Sequence, residues 1–325
     1  MLSRYCGRLF EKGDCIMKKF LTLLLALAMT LSLAACGSDS TEETEGTDGT
    51  EAETVDYTAM SDDELKAAIT TVSEGTLTVA TSPDFAPYEF YAIGEDGQAT
   101  LAGFEMSLAQ YIADYLGLEL EVVPMDFDGT LMELQNKSVD LGMAGYSPKP
   151  ERENIMDFSD IFYTGGQSFV TTQDKADLFT SLEDTNKAEY SIGAQTGSIQ
   201  VDLAQTNSPD AELIQLPKVT DVITDLLAGN LDGAYIETVV AETYAKNYPE
   251  LNVLLDVPYE QEGSVVGVSL GNAALLEGVN RAIAAVLEDG TMDEFITQAN
   301  ELASGETYEG LLDENGQVAE TPAEG

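Results

Sequence analysis

The chain has no histidine and no tryptophan, and basic residues are scarce among its 325 residues. Without histidine, no Ser-His-Asp triad, Cys-His dyad or His-ligated zinc site can form, whatever the fold. Lysine and arginine number 14 against 59 aspartates and glutamates, which gives a formal net charge of −45. Because so acidic a chain repels phosphate backbones and anionic headgroups, nucleic acid is not an expected partner.

Cysteine is confined to the start of the chain, at Cys6, Cys15 and Cys36. No disulfide framework can therefore hold the rest of the chain together, and the fold must be stable through its apolar core. The sequence predicts no metal site and no cofactor.

The first part of the chain has the composition of a targeting segment. Lys18 and Lys19 precede an apolar run over residues 20–35, which ends in Leu-Ala-Ala before Cys36. A basic start, a short apolar run and small residues before a cleavage point are typical of a secretory signal. The ending resembles the bacterial lipobox, whose cysteine carries acyl chains such as palmitate and becomes the first mature residue. The alternative is an ordinary membrane anchor with an incidental cysteine, but charge, length and box together favour the lipobox.

Composition divides the chain into four parts. Residues 1–35 hold an upstream segment and the signal. Residues 36–73 begin with the lipidation site, continue as an acidic tether rich in Gly, Ser and Thr, and end in a short helix with a capping-box pattern at Ser61. The ordered body covers about residues 74–303, and residues 304–325 form a tail.

In the body, short β-branched runs alternate with apolar helical patterns. Phe104, Leu108, Ile112 and Leu116, for example, recur at every fourth position and give one helix an apolar face that ends at Gly117. Two strand–helix series of this kind follow one another along the chain. The sequence therefore predicts an α/β protein with two lobes, each a mostly parallel sheet flanked by helices. Ligands bind such sheets beyond the carboxyl ends of the strands, so we expect a cleft between the lobes.

Several polar side chains stand where predicted strands end. Arg152 follows one strand, and its planar guanidinium suits bidentate binding of a carboxylate. Ser198 opens a helix whose first N–H groups attract an anion. Glu237 ends another strand, where it could receive an ammonium group. Together these residues would bind a zwitterion, with Phe85 and Phe127 packed against the remainder.

Each of these residues also has a plainer interpretation. Arg152 could pair with Glu151, Glu153 or Asp157 on a solvated face, and spacing alone favours this weak surface pair. The two aromatic residues could belong to the core, and Glu237 could be a helix-start acid favoured by the dipole. Other carboxylates near the strand ends could suggest acid–base work, but such coincidences are expected among 59 acids.

Seven short motifs follow one another along the body. They are Thr81-Ser-Pro-Asp-Phe-Ala-Pro-Tyr-Glu-Phe90, Gly103-Phe-Glu-Met-Ser-Leu-Ala109, Pro124-Met-Asp-Phe-Asp-Gly129, Leu134-Gln135, Val139-Asp-Leu141, Pro150-Glu-Arg152 and Asp157-Phe-Ser-Asp-Ile-Phe-Tyr163. In this order and spacing, the chain resembles the polar-amino-acid class of extracytoplasmic solute-binding proteins, the receptors of ABC importers. The resemblance implies a periplasmic-binding-protein fold of type II, whose two lobes close on a ligand like a hinged clamp.

The same resemblance implies the bounds of the two lobes. Lobe one would comprise residues 74–163 and 265–303, and lobe two residues 166–260. The two crossing strands between the lobes would lie near residues 162–166 and 261–266.

The resemblance also implies a ligand site. Arg152 would hold the α-carboxylate of the ligand, Glu237 would take its α-amine, and Phe85 and Phe127 would pack on its side chain. No catalytic residue is expected. The full set of predicted ligand-binding residues is Ser82, Asp84, Phe85, Phe127, Ala144, Gly145, Ser147, Arg152, Gln195, Ser198, Ile199 and Glu237.

Departures from the family pattern leave the identity of the ligand open. Ser82 stands where relatives often carry an Asp that contacts the ligand side chain, although Asp84 follows two residues later. Gln195 occupies another specificity position, and Glu237 is one methylene longer than the usual Asp. A cationic and a neutral polar amino acid both remain compatible with these residues.

The sequence therefore predicts a monomeric, lipid-anchored receptor on the extracytoplasmic face of the bacterial cell membrane. It would bind a polar amino acid and deliver it to an ABC permease, without catalysis and with the lipid as its only membrane contact. Two alternatives are a dehydratase-like enzyme of the same fold and a ligand sensor. A dehydratase would need acid–base groups in a chain without histidine, and a sensor usually continues into a spanning helix and a cytosolic domain.

Overall fold

The computed structural model of the chain describes residues 55–94, 97–260, 263–305 and 307–308. The predicted signal, the lipidation site, and most of the tether and tail lie outside these residues, as do residues 261–262 of one predicted crossing strand. Within the described ranges, no helix combines the length and hydropathy that a membrane crossing requires.

Strands and helices alternate along the described chain. The strands are β1 (Thr76–Thr81), β2 (Asp84–Phe85), β3 (Glu89–Ile93), β4 (Ala99–Ala102), β5 (Glu119–Pro124), β6 (Leu141–Tyr146), β7 (Met156–Phe158), β8 (Gln167–Thr172), β9 (Ser191–Gln195), β10 (Glu212–Leu216), β11 (Gly233–Glu237), β12 (Leu251–Asp256), β13 (Val265–Ser269) and β14 (Thr307–Tyr308). The α-helices are α1 (Asp62–Ala68), α2 (Phe104–Leu116), α3 (Phe127–Asn136), α4 (Ile199–Asn207), α5 (Val219–Ala228), α6 (Thr238–Asn247), α7 (Ala273–Glu288) and α8 (Thr291–Ala303). Short 3-10 helices lie at Tyr57–Ala59, Pro150–Arg152, Ala176–Leu178 and Leu182–Thr185.

The two five-stranded sheets have the same topology. Their strand orders are β5-β1-β6-β13-β7 and β10-β9-β11-β8-β12. In each sheet four strands run in one direction, and the strand in fourth place, β13 or β8, runs against them. This reversed strand is the first that the chain adds after leaving the other sheet. The predicted α/β architecture with mostly parallel sheets is thus confirmed.

Helices cover both sheets and define the two lobes. We call the first sheet lobe one, together with α2, α3, α7 and α8, and the second sheet lobe two, together with α4, α5 and α6. Strands β2, β3 and β4 of the smaller antiparallel sheet also belong to lobe one, and β14 pairs with β3.

Burial follows the predicted apolar patterns. Strands β1, β6, β9 and β11 are almost wholly buried, as expected for parallel strands covered on both faces. The four apolar residues predicted to share one helix face, from Phe104 to Leu116, are all buried in α2. Gly117 ends that helix in the left-handed conformation, with φ of 74°.

The passages between the sheets are paired with each other. Tyr163 and Ser264 form an isolated antiparallel bridge, in which the main-chain N–H of Ser264 donates to the carbonyl oxygen of Tyr163 at 2.6 Å. Both residues lie within the predicted crossing segments, so the two passages run side by side between the lobes.

The first described segment is fixed to lobe one. Ser61 caps α1 through the predicted capping box, and the helix ends at Ala68. Arg281 of α7 donates to the carboxylate of Asp62 at 2.8 Å and to the carbonyl oxygen of Tyr57 at 3.1 Å. One guanidinium therefore attaches both the 3-10 helix and α1 to the body.

Candidate functional site

A cavity of about 430 Å³, partly open to solvent, lies between the two lobes. It is bordered by the carboxyl ends of β6, β9 and β11, where open α/β sheets bind their ligands, and by Phe85 and Tyr88, which follow β1. Its size lies within the range of small-molecule sites. The lining residues are Phe85, Tyr88, Phe127, Ala144, Gly145, Ser147, Arg152, Gly165, Gln167, Gln195, Ser198, Ile199, Gln200, Glu237, Tyr259, Gly263 and Ser264.

The structure brings most of the predicted ligand residues together. Those in the cavity wall are Phe85, Phe127, Ala144, Gly145, Ser147, Arg152, Gln195, Ser198, Ile199 and Glu237. Ser82 and Asp84 are buried but lie outside the wall. Ser82 donates its hydroxyl to Asp84 at 2.7 Å, and the Asp84 carboxylate faces helix α5 of lobe two instead of the cavity.

Arg152 is a buried cation. It ends the 3-10 helix that follows β6, and its side chain and backbone together are only 4% exposed. The guanidinium donates to the carbonyl oxygens of Ser147 at 3.2 Å and Gly197 at 3.0 Å, and it lies over the rings of Phe127 and Tyr146. Burial lowers the pKa of Arg152.

No carboxylate of the described chain forms an ion pair with Arg152. The surface interpretation of this residue is therefore wrong, because the side chain turns inward from its loop and leaves the neighbouring acids outside. A guanidinium has five N–H donors, and main-chain carbonyls bind some of them without neutralising the charge. The arrangement suits an anion that enters the cavity.

The start of helix α4 contributes to the same wall. Ser198 is its N-cap residue, but the hydroxyl donates backwards to the carbonyl oxygen of Gln195 at 2.7 Å and does not cap the helix. Gly197 makes the preceding turn with φ of 77°. Since Ser198, Ile199 and Gln200 all line the cavity, the positive end of the helix dipole adds to the charge of Arg152.

Glu237 supplies the opposite charge from lobe two. It ends β11 and caps α6, since its carboxylate accepts from the main-chain N–H of Val240 at 2.9 Å. The Tyr88 hydroxyl of lobe one donates to its other oxygen at 3.3 Å. Burial raises the pKa of Glu237 to about 7. Glu237 therefore caps α6, as one interpretation expects, and it also lines the cavity. Arg152 and Glu237 are the two formally charged residues of the described wall.

Sequence reasoning missed part of the wall. Tyr88 stands inside the first motif, and the aromatic character of that motif could have pointed to it. Gly165 and Tyr259 come from the passages between lobes, where the Tyr259 hydroxyl donates to the carbonyl oxygen of Gly165 at 2.9 Å. Gln200 donates to Gln167 at 2.8 Å, a contact between α4 and β8 that no local pattern indicates. The remaining missed residues are Gly263 and Ser264.

Gly165 leaves room for the acid beside it. A Cβ atom at position 165 would stand 2.3 Å from Oε1 of Glu237 and 2.9 Å from the Tyr88 hydroxyl. A side chain there would displace the Glu237 carboxylate or fill the space next to it.

Behind the cavity wall, two carboxyl groups are buried together. Glu89 and Glu105 are both 0% exposed, and Glu105 accepts from the main-chain N–H of Gly145 at 3.1 Å. Three of their four carboxyl oxygens have no other hydrogen-bond donor. Burial raises the pKa of Glu105 to about 7, and burial together with the charge of Glu105 holds that of Glu89 well above its usual range. We therefore expect the pair to share a proton near neutral pH, with one acid donating to the other.

The described residues contain no cluster of three or more side chains with the chemistry of a metal site.

Comparison with known proteins adds independent findings. The family described as bacterial extracellular solute-binding proteins, family 3, matches residues 77–299. The arginine-binding extracellular protein ArtP of Bacillus subtilis is 29% identical over 282 residues, which cover 86% of this chain and 96% of that protein. The cyclohexadienyl dehydratase of Pseudomonas aeruginosa is 26% identical over 180 residues, which cover 55% of this chain and 66% of that enzyme.

A solved structure is also similar over most of the chain. The amino acid ABC transporter substrate-binding protein AbpA of Streptococcus pneumoniae, bound to L-arginine, matches with a TM-score of 0.69 and 31% identity. The match covers 75% of this chain and 100% of that one.

The buried acid pair predicts a stability that falls with rising pH. Because the folded-state pKa values lie above the unfolded ones, the native state binds more protons, and stability is lost as pH rises from about 5 to about 8. Glu105 alone accounts for about 3 kcal/mol across this window, at about 1.4 kcal/mol for each pKa unit. In Glu89→Gln the amide donates to Glu105 without a titrating proton, so the decline should be shallower. Thermal unfolding at several pH values measures it.

The exposed Glu119→Gln makes the same chemical change without burial and is the control. A Glu89→Gln variant whose melting temperature falls with pH as steeply as that of the wild type would contradict the shared-proton assignment.

Proposed function

The chain belongs to the bacterial extracellular solute-binding proteins of family 3, and on that premise we propose that it binds a polar amino acid between its lobes and delivers it to the permease of an ABC importer. The observation that carries this proposal is the buried guanidinium of Arg152, which has no carboxylate partner among the described residues and faces Glu237 across one cavity. An unpaired buried charge is costly to a fold, and a ligand carboxylate compensates it.

The ligand binds as a zwitterion between the two charges. Its α-carboxylate accepts from Arg152 and from the first N–H groups of α4, and its α-ammonium donates to Glu237. Phe85 and Phe127 enclose the aliphatic part of its side chain. Arg152 and Glu237 belong to different lobes. A ligand that carries both a carboxylate and an ammonium group therefore stabilises the closed arrangement of the lobes.

The remaining polar wall favours a side chain that is long and polar. Gln167, Gln195 and Gln200 present amide groups and no formal charge. Amide carbonyls accept equally from a guanidinium or from a carboxamide, and L-arginine is the ligand of the similar solved structure. L-Arginine and L-glutamine are accordingly the first ligands to test.

The membrane anchor, the oligomeric state and the bounds of the lobes are proposed as the sequence predicts them. Cys36 carries the lipid, and the chain stands as a monomer on the extracytoplasmic face of the membrane. Lobe one comprises residues 74–163 and 265–303, and lobe two residues 166–260.

A second function, dehydration of a small acid, has support from the dehydratase relative and from the raised pKa of Glu237. Binding is preferred because Glu237 is the single carboxyl group in the described wall and already accepts from Val240 and Tyr88. Incubation of the purified chain with a hydroxylated cyclohexadienyl carboxylic acid as the probe substrate, followed by absorbance of the aromatic product, tests the enzyme alternative.

Removal of the Arg152 guanidinium should strongly weaken ligand binding. We expect one or a few of the twenty amino acids to raise the melting temperature of the full chain in detergent by several degrees, by mass action. Arg152→Ala should weaken binding about 100-fold, or about 2.8 kcal/mol, in isothermal titration calorimetry. Arg281→Ala removes the other guanidinium of the described chain and should leave affinity unchanged. No response to any amino acid, or equal affinity in the two variants, would refute the assignment.

The raised pKa of Glu237 predicts that ligand affinity depends on pH. Because binding uses the ionised form of Glu237, affinity should fall about tenfold for each pH unit below the pKa near 7. Glu237→Gln should bind about tenfold more weakly at pH 8 and lose this dependence, since its amide still accepts from Val240 but carries no charge. Calorimetric titrations between pH 5 and pH 8 measure both effects. The exposed Glu242→Gln on α6 is the control, and a wild-type affinity that does not change with pH would contradict the role of Glu237.

The lipid anchor has a direct test. The full chain expressed in a bacterial host should sediment with membranes and carry an acyl mass on the peptide that begins at Cys36. Cys36→Ser should abolish both, whereas Cys15→Ser should change neither. A Cys36→Ser protein that still sediments with membranes would favour the ordinary membrane anchor.

A further inference from the structure

One carboxylate outside the cavity joins the two lobes. Asp84 stands in β2 of lobe one, is 7% exposed, and accepts from the main-chain N–H of Val219 in lobe two at 2.6 Å. The same oxygen accepts from Nε2 of Gln195 in β9 at 3.2 Å. The carbonyl oxygen of Asp84 accepts from the hydroxyl of Tyr244 in α6 at 3.1 Å. Two helices and one strand of lobe two therefore meet at a single residue of lobe one.

The contact with Val219 completes helix α5. Val219 is the first residue of that helix, and the preceding Lys218 provides no side-chain cap. Helices α1, α6 and α7 are capped by residues of their own chain segment, namely Ser61, Glu237 and Asn272. In α5 the cap comes from the opposite lobe. A carboxylate at a helix N-terminus accepts a strong hydrogen bond and is stabilised by the dipole.

The contact with Gln195 fixes the orientation of a cavity side chain. Nε2 of Gln195 donates to Asp84 and also to the carbonyl oxygen of Pro217 at 3.2 Å. An amide nitrogen has two protons, so both are used. The amide oxygen of Gln195 is then the group that remains to accept from a donor on a ligand.

Asp84 is held as an acceptor at neutral pH. Burial raises its pKa to about 6, whereas the hydrogen bonds from Ser82 and Val219 and the charge of Lys218 oppose the rise. Ser82 donates to the second oxygen, so both oxygens have donors.

We propose that Asp84 is a positioning residue that joins the lobes, because from lobe one it caps helix α5 of lobe two and fixes the amide of Gln195 at the cavity wall. Separation of the lobes breaks the bonds to Val219, Gln195 and Tyr244 and leaves α5 without its cap. The bonds therefore favour the closed arrangement, and their effect on ligand release rests on the proposed function. By the same geometry, the site prefers a ligand whose side chain donates hydrogen bonds to Gln195.

The hydrogen bond between Asp84 and Val219 can be tested without any ligand. Hydrogen–deuterium exchange of the full chain in detergent, read by mass spectrometry on overlapping peptides across residue 219, reports the N–H of Val219. We expect this amide to exchange at least about tenfold faster in Asp84→Ala than in the wild type. Asp126→Asn is the control, since Asp126 is an exposed N-cap residue whose side chain makes no cap bond. Equal exchange in wild type and Asp84→Ala would overturn the proposal.

The functional consequence is tested by a double-mutant cycle. Val219→Pro removes the N–H donor while keeping a residue that is favoured at the first helical position, and Lys218 already has the extended conformation that precedes proline, with φ of −122° and ψ of 148°. Stopped-flow release of L-arginine or L-glutamine should be about tenfold faster in Asp84→Ala and in Val219→Pro, with association within about twofold of the wild type.

In the double variant, release should be no faster than in Asp84→Ala alone, because that variant already lacks the bond to Val219 that Val219→Pro removes. Multiplied effects would show that Asp84 acts only on the stability of its own lobe and would overturn the proposal. If neither amino acid binds the wild type while the exchange result holds, the proposed ligand class is wrong, but the contact of Asp84 with lobe two is still supported.

Discussion

A buried positive charge must be compensated, and this constraint governs the centre of the molecule. The chain carries 59 acidic residues, yet none of those described forms an ion pair with Arg152. Two carbonyl oxygens and two aromatic rings solvate the guanidinium without neutralising it. In so acidic a protein, keeping carboxylates away from one arginine requires a specific fold around it, and the loop after β6 provides this by turning the side chain inward.

The arrangement of the sheets explains why the charge lies between two lobes. Each sheet places the ends of its central strands at one edge, and the paired passages hold the two edges opposite each other. Arg152 follows β6 of lobe one, whereas Glu237 ends β11 of lobe two. Each lobe alone therefore presents a single charge, and only the two together present a pair that matches a zwitterion.

The fold and much of the site followed from sequence, and the failures share a physical cause. Strand–helix alternation predicted the architecture. The positions of polar residues at strand ends, together with the family resemblance, predicted Arg152, Glu237 and the two aromatic residues of the wall. Asp84 was expected at the ligand because it stands two residues after Ser82, where relatives often carry an Asp that contacts the ligand. It is also the strand neighbour of Phe85, and neighbouring strand residues point to opposite faces. The Phe85 ring lines the cavity, and the Asp84 carboxylate faces the other lobe. Burial, and with it the inward turn of Arg152, cannot be derived from the spacing of charges along a chain.

Contacts between distant segments were also beyond sequence reasoning. Gly165 and Tyr259 meet across the passages, and Glu89 and Glu105 meet behind Gly145. Each of these residues is unremarkable in its local pattern, since its role depends on a partner many positions away.

The hydrogen bonds of Arg281 have a mechanical consequence. Its bonds to Asp62 and Tyr57 attach the first described segment to helix α7, which belongs to lobe one. Tension on the upstream chain would therefore be transmitted to lobe one near its entry point and would bypass the passages between the lobes. Lobe two could then rotate relative to lobe one while the upstream chain held lobe one alone. A short upstream segment would therefore not restrict the opening and closing of the lobes.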